Sequence, residues 1–397
     1  MRPFALAAAA LALFASCKDS DETSPGKPAP LPDGGGDARV PDDDASARPD
    51  ATDGGDAGAK PLGVPRVYVG SGDGKIRLFS FDGTTGALAL EDTFDAGENP
   101  SFLAFDPERR FVYAVDENAS QVQAFAVERP SGKLAALGAV ASGGNGPAHV
   151  SVDRAGKYVL VANYGGGTIA VFPRQADGRL GAATATRSFG NAAQTHQIVT
   201  DPTNAFALVP NKGKDAVSVF RLDGSGALAD VSLSGYPAGD GARHLDFDQA
   251  GKHVYVVDEL ASTVTVMTMD PAAGTLAAIQ TISTLEPGFM GANTGAEIQR
   301  TPDGKHVLAS NRGDDSLAVF DVGASDGKLT RTARVATGKT PRHFSIEETG
   351  RFLFAGNQGS GTVTVMKMDA TTGIPSPLGS PVAVPSPAWV GLVYLPP

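Results

Sequence analysis

Four of the six histidines in this 397-residue chain recur at a nearly constant interval. His149, His196 and His244 are 47 and 48 residues apart, and His343 follows 99 residues later with Glu297 standing between. Arg243 and Arg342 each precede one of these histidines. Behind them runs a second polar series that includes Asn163, Glu259, Arg312 and Asn357. Imidazoles move protons near neutral pH, guanidiniums grip carboxylates through paired hydrogen bonds, and a carboxylate nearby can act as base. A single histidine opening a strand can be purely structural. Four histidines, three arginines and two glutamates gathered on one face would be costly without a ligand. Three of the histidines could approach one ion, but acidic partners are few and cations share the set, so neither metal nor cofactor is expected.

The elements that must position these residues are repeats. Gly86, Gly132, Gly178, Gly226, Gly274, Gly327 and Gly373, most of them in Gly-x-Leu, fall 46, 46, 48, 48, 53 and 46 residues apart. A second series of the same period runs through Asp106, Asp153, Asp201, Asp248, Thr301 and Glu347. Each unit carries short β-branched runs such as His149-Val150-Ser151-Val152, Tyr158-Val159-Leu160-Val161 and Thr168-Ile169-Ala170-Val171-Phe172, with a weaker fourth run after each Gly-x-Leu. Four strands in about 47 residues make one propeller blade. The first unit opens at its second strand, Val67-Tyr68-Val69, and the strand it lacks is supplied by Pro387-Ala388-Trp389-Val390-Gly391-Leu392-Val393. The expected fold is therefore an all-β, seven-bladed propeller over 65–397, closed by pairing of N- and C-terminal strands, which leaves no free sheet edge.

Successive strands in a blade run antiparallel, so the start of the first and the end of the second share one face of the disc. Spacing aligns Phe102, His149, His196, His244, Glu297, His343 and Val390 or Trp389 at the start of the inner strands. It aligns Ser71, Asp116-Glu117, Asn163-Tyr164, Asn211-Lys212, Asp258-Glu259, Asn311-Arg312 and Asn357-Gln358 at the end of the second strands. The result is a polar ring at the mouth of a central channel, a usual seat for a small ligand.

Upstream, residues 1–16 have a basic start, an apolar run from Phe4 to Phe14 and small residues before Cys17, the pattern of a secretory signal. Leu13-Phe14-Ala15-Ser16-Cys17 is similar to a bacterial lipobox, and Cys17 is the only cysteine. Lipidation of Cys17, a cell-envelope location and the absence of disulfides are the expectations. Residues 17–64 are rich in Asp, Gly, Pro and Ala and read as a disordered acidic tether. Within 18–64, eleven acidic against five basic residues give −6; removing that and the +1 of Arg2 from −11 leaves the body at −6. An acidic body disfavours nucleic-acid binding. The expected partners are a small-molecule substrate and, through the lipid alone, a membrane; the expected state is a monomer.

The segments Gly146-Pro147-Ala148-His149-Val150, Val161-Ala162-Asn163-Tyr164, Thr195-His196-Gln197-Ile198, Arg243-His244-Leu245, Thr301-Pro302-Asp303-Gly304, Ser310-Asn311-Arg312 and Thr340-Pro341-Arg342-His343-Phe344 resemble the seven-bladed propeller lactonases. That family includes bacterial 6-phosphogluconolactonase and shares ancestry with fungal carboxymuconate cyclase. The resemblance implies that His149, Arg243, Glu259 and Arg312 match its catalytic positions. Arg243 and Arg312 would then clamp a substrate carboxylate or steady an oxyanion, with Glu259 or His149 handling the proton. His196, His244, Glu297, Arg342, His343, Asn163 and Asn357 are the candidate substrate-binding residues. The implied activity is an exported lactone-opening hydrolase acting on a small carboxylated or sugar lactone. The alternative is a non-catalytic propeller that binds a ligand or protein at the envelope.

Overall fold

The computed structural model describes residues 63–396 apart from Tyr236 and Ala238. The leader, Cys17 and the tether up to residue 62 lie outside the described residues. Seven antiparallel sheets form the propeller. From the channel outward, blade one pairs Pro387–Leu395, Val64–Ser71, Lys75–Phe81 and Leu88–Asp95. Blade two pairs Leu103–Phe105, Phe111–Asp116, Gln121–Val127 and Leu134–Ala141; blade three pairs Pro147–Val152, Tyr158–Asn163, Thr168–Pro173 and Ala185–Ser188. Blade four has the shortest inner strand, Val199–Thr200, followed by Phe206–Asn211, Ala216–Leu222 and Leu228–Gly235. Blade five is Ala242–Phe247, His253–Asp258, Thr263–Met269 and Leu276–Ser283, and blade six is Gly295–Arg300, His306–Asn311, Ser316–Val322 and Leu329–Ala336. Blade seven is Pro341–Ile346, Phe352–Asn357, Thr362–Met368 and Pro375–Pro377, with Val382–Ala383 sharing the edge of its third strand.

Closure is as the repeat spacing demands. Val64–Ser71 pairs with Pro387–Leu395 from Val64 opposite Leu395 to Gly70 opposite Trp389. Blades stack face to face, so their middle strands are buried on both sides and read as continuous apolar runs rather than alternating ones: Phe111–Asp116 and Phe206–Asn211 are buried throughout. A separate apolar layer fills each gap, for example Val67, Val69, Phe354, Val365 and Val390 between blades one and seven. The Gly-x-Leu series belongs to these gaps. Gly178 has φ +87°, and a Cβ there would lie 2.2 Å from the Phe111 ring. The carbonyls of Gly132 and Gly178 accept the hydroxyls of the buried Tyr68 and Tyr113 at 2.6 and 2.9 Å. The glycine thus keys each blade to the previous one.

Candidate active site

The inner strands share one irregularity at their channel-mouth end. Pro147 pairs with Asn163 and His149 with Ala162, leaving Ala148 as an extra residue. The same slip leaves Arg243 between Ala242 and His244, Arg342 between Pro341 and His343, and Ala388 between Pro387 and Trp389. Such bulges re-aim side chains. Here they turn both Arg243 and His244, and both Arg342 and His343, toward the same cavity. The pairing of Thr195 with Asn211 corrects one expected alignment. His196 falls one residue earlier than the other histidines, in the slot of Arg243 and Arg342, and Gln197 takes the histidine slot. Spacing misaligned it because Asp153 to Asp201 spans 48 residues while His149 to His196 spans 47. In blade one the slot belongs to Trp389 rather than Val390.

Two layers of polar groups result. In the outer layer, Glu259 is met by Arg243 Nε at 2.9 Å, Lys212 Nζ at 2.9 Å and Arg312 Nη2 at 3.1 Å. Burial on its own would raise the Glu259 pKa, but Arg243, Arg312 and Lys212 outweigh it and hold the carboxylate down to about 2. Arg342 Nη2 stands 3.8 Å from Glu117, and Lys212 donates to Tyr164 Oη at 3.0 Å. Four cations therefore face two carboxylates. Arg243 is fully buried and its pKa is pushed down, by burial first and then by Arg312, while Glu259 supports its charge.

In the deeper layer, His244 Nδ1 and His343 Nε2 approach the same oxygen, Oε2 of Glu297, at 3.1 and 3.3 Å. His244 Nε2 lies 3.1 Å from His196 Nδ1. Burial, aided by the nearby arginines, pushes His149, His196 and His244 well below the usual histidine range, and burial lowers His343 to about 4 although Glu297 opposes it. Burial thus favours the neutral imidazole in all four. Burial raises the Glu297 pKa while His343 and Arg243 oppose the rise. Phe102 closes the layer, its ring 4.3 Å from that of His149, whose buried Nδ1 has no partner.

The structure thus gathers His149, His196, His244, Arg243, Glu259, Glu297, Arg312, Arg342 and His343 at one mouth. Asn163 and Asn357 are not brought to it. Asn163 donates to the Ser142 carbonyl and Thr168 Oγ1, both at 3.1 Å, and Asn357 donates to Thr362 and Thr364 while accepting from Gly338 N–H. They brace loops. Lys212, which spacing placed in the second column without a role, is the third cation on Glu259. Its signal was present: like Glu259 and Arg312, it directly follows the bracing residue. Among the described residues, no group of three His, Cys, Asp or Glu could hold a metal ion. A larger groove of about 430 Å³ lies elsewhere, between outer strands of blades three and four, and carries Arg187, Lys214 and Asp230.

The described residues thus form a closed seven-bladed ring with charged and imidazole side chains gathered at one channel mouth. The family model described as "Lactonase, 7-bladed beta-propeller" matches residues 66–392, and the chain belongs to that family. The 6-phosphogluconolactonase of Bacillus subtilis is 31% identical over 346 residues, covering 84% of this chain and 99% of that one. The 6-phosphogluconolactonase of Pectobacterium carotovorum is 30% identical over 335 residues, covering 83% and 98%. Among solved structures, the periplasmic gluconolactonase of Pseudomonas aeruginosa superposes with a TM-score of 0.78 at 28% identity, covering 84% of this chain and all of that one.

Proposed function

We propose that this protein hydrolyses a small sugar or carboxylated lactone at the channel mouth. The observation that carries this reading is the cation cluster over the histidine layer: Arg243, Arg312, Arg342 and Lys212 against Glu117 and Glu259, in a body of net −6. A surplus of buried and partly buried positive charge favours an anionic substrate group and, more strongly, the oxyanion that forms when water adds to a lactone carbonyl. Held down to about 2, Glu259 is a poor proton acceptor. Its role is to fix three cations in place. The relatives named for gluconolactone and phosphogluconolactone hydrolysis support the same substrate class.

Hydrolysis of a panel of aldonolactones and carboxylated lactones by the purified chain tests the reading. Turnover is expected, and Glu259→Gln should raise KM by about tenfold or more as the cations lose their anchor. No turnover across the panel would reject catalysis, and tight binding of a hydroxy acid without turnover would leave a binding propeller. The signal pattern and lone Cys17 further support an exported, lipid-anchored protein. Cys17→Ser should then move it from the membrane fraction to the soluble fraction, and an unchanged distribution would remove the anchor.

A further inference from the structure

The geometry points to His196 as the general base of this site, held in its working tautomer by a buried relay that runs from Glu297 through His244. The inference rests on the lactone-hydrolase reading and names the group that moves the proton.

The proton positions follow from the partners. His343 Nδ1 accepts the Val390 N–H at 3.4 Å, so the His343 proton sits on Nε2, which stands 3.3 Å from Glu297 Oε2. Oε1 of the same carboxylate accepts the Ile298 N–H at 3.0 Å. As the carboxylate, Glu297 accepts only. His244 Nδ1 at 3.1 Å must then be a donor, which leaves His244 Nε2 as an acceptor. The donor it faces, at 3.1 Å, is His196 Nδ1. The lone pair of His196 is therefore on Nε2, which makes no hydrogen bond among the described residues.

His196 occupies the bulge slot of Arg243 and Arg342 and lines, with them, a cavity of about 10 Å³ beside His244, Glu297 and His343. That is room for about one water. His149 has no comparable support, since its Nδ1 is buried without a partner. Glu259 is already committed to three cations. Among the described residues at this mouth, only His196 combines a free ring nitrogen with a second group that orients it, the arrangement that makes an imidazole an effective base.

The step balances without any further reagent. His196 Nε2 takes a proton from water as the water oxygen bonds to the lactone carbonyl carbon, and the carbonyl electron pair moves onto oxygen. When that pair returns, the ring C–O bond breaks and the departing alkoxide takes the proton back from the imidazolium. Lactone and water give one hydroxy acid. Glu297, acting through His244, is a positioning residue that steadies the transient imidazolium.

The test compares steady-state kinetics of the wild-type chain, His196→Ala and Glu297→Gln on a lactone the wild type hydrolyses, together with ¹⁵N NMR of the histidine tautomers in the wild type. His196→Ala should lose about 10²- to 10³-fold in kcat with KM within about threefold, and free imidazole should restore part of it. Glu297→Gln should lose about tenfold or more in kcat with KM nearly unchanged. His196 should carry its proton on Nδ1. Wild-type turnover with His196→Ala within about threefold of it in kcat would overturn the inference and leave the lactonase reading standing. Absence of any wild-type turnover would overturn both. If His196→Ala does not fold, the tautomer decides: a proton on Nδ1 supports the relay, and a proton on Nε2 overturns it.

Discussion

The inner strands are near-copies at one end and strangers at the other. At the end away from the site, Asp106, Asp153 and Asp201 each accept two successive backbone N–H groups of the following hairpin. Glu347 does the same for Arg351 and Phe352, and Asp248 accepts from Lys252. At the mouth, the bulge slot holds Ala148, His196, Arg243, Ala296, Arg342 or Ala388, and the slot after it holds His149, Gln197, His244, Glu297, His343 or Trp389. Both ends are buried, polar and spaced by one repeat. What separates them is that one end keeps a side-chain oxygen that satisfies the same backbone groups in blade after blade, whereas the other varies its chemistry and binds side chain to side chain across blades. The first pattern is scaffold. The second is the candidate site, and it is lopsided: blades four to seven supply most of its charge, while Phe102 and Trp389 line the remainder.

Arg243→Ala should separate the two ends most sharply. Blades one, three and six carry alanine in that slot, as Ala388, Ala148 and Ala296, so the backbone accepts it. A loss of about 10³-fold in kcat/KM, with a folded circular dichroism spectrum, is the expected outcome. Asp201→Ala acts on the opposite end. Its carboxylate accepts from the Thr203, Ala205 and Phe206 amides and the Thr203 hydroxyl. Urea unfolding should show a loss of about 2 to 4 kcal/mol, with kcat/KM of the folded protein within about threefold of wild type.

The smallest expected effect concerns the bracing column beside the mouth. Asp258 accepts the hydroxyls of Thr263 and Thr265, both at 2.8 Å, where Asn357 in blade seven donates to Thr362 and Thr364. Burial raises the Asp258 pKa from 3.8 to about 7, against the pull of those two hydroxyls. The folded form then holds a proton that the unfolded chain has lost. The stability this contributes is full below pH 3.8 and is lost as the pH rises through about 7. Asp258→Asn should therefore stabilise the protein by about 1 to 2 kcal/mol at pH 8 and by almost nothing at pH 4 in thermal melts. Equal effects at both pH values would contradict a buried, protonated Asp258.

The ring, its closure and the face that carries the charged residues were legible in the sequence because a propeller writes each blade's packing into a local pattern. The repeated glycine and the repeated acidic turn residue are two such marks. The bulge was not legible, because an extra residue in one strand alters pairing without altering the hydrophobic period. That is why His196 was aligned with His149 rather than with Arg243. Asn163 and Asn357 shared a column with Glu259 and Arg312 to within one residue, and only hydrogen bonding shows that adjacent positions divide into braces and site. The convergence of Lys212, Arg243 and Arg312 on Glu259 joins blades four, five and six, and no spacing within one repeat reports it.

A crystal structure with the hydroxy-acid product of a turned-over lactone tests the central claim most directly. The account expects the product carboxylate within hydrogen-bond reach of Arg243 and Arg312 or Arg342, about 3 Å, above the His196–His244–Glu297 layer. Product bound instead in the groove that carries Arg187 and Lys214, with the channel mouth left unchanged, would contradict it.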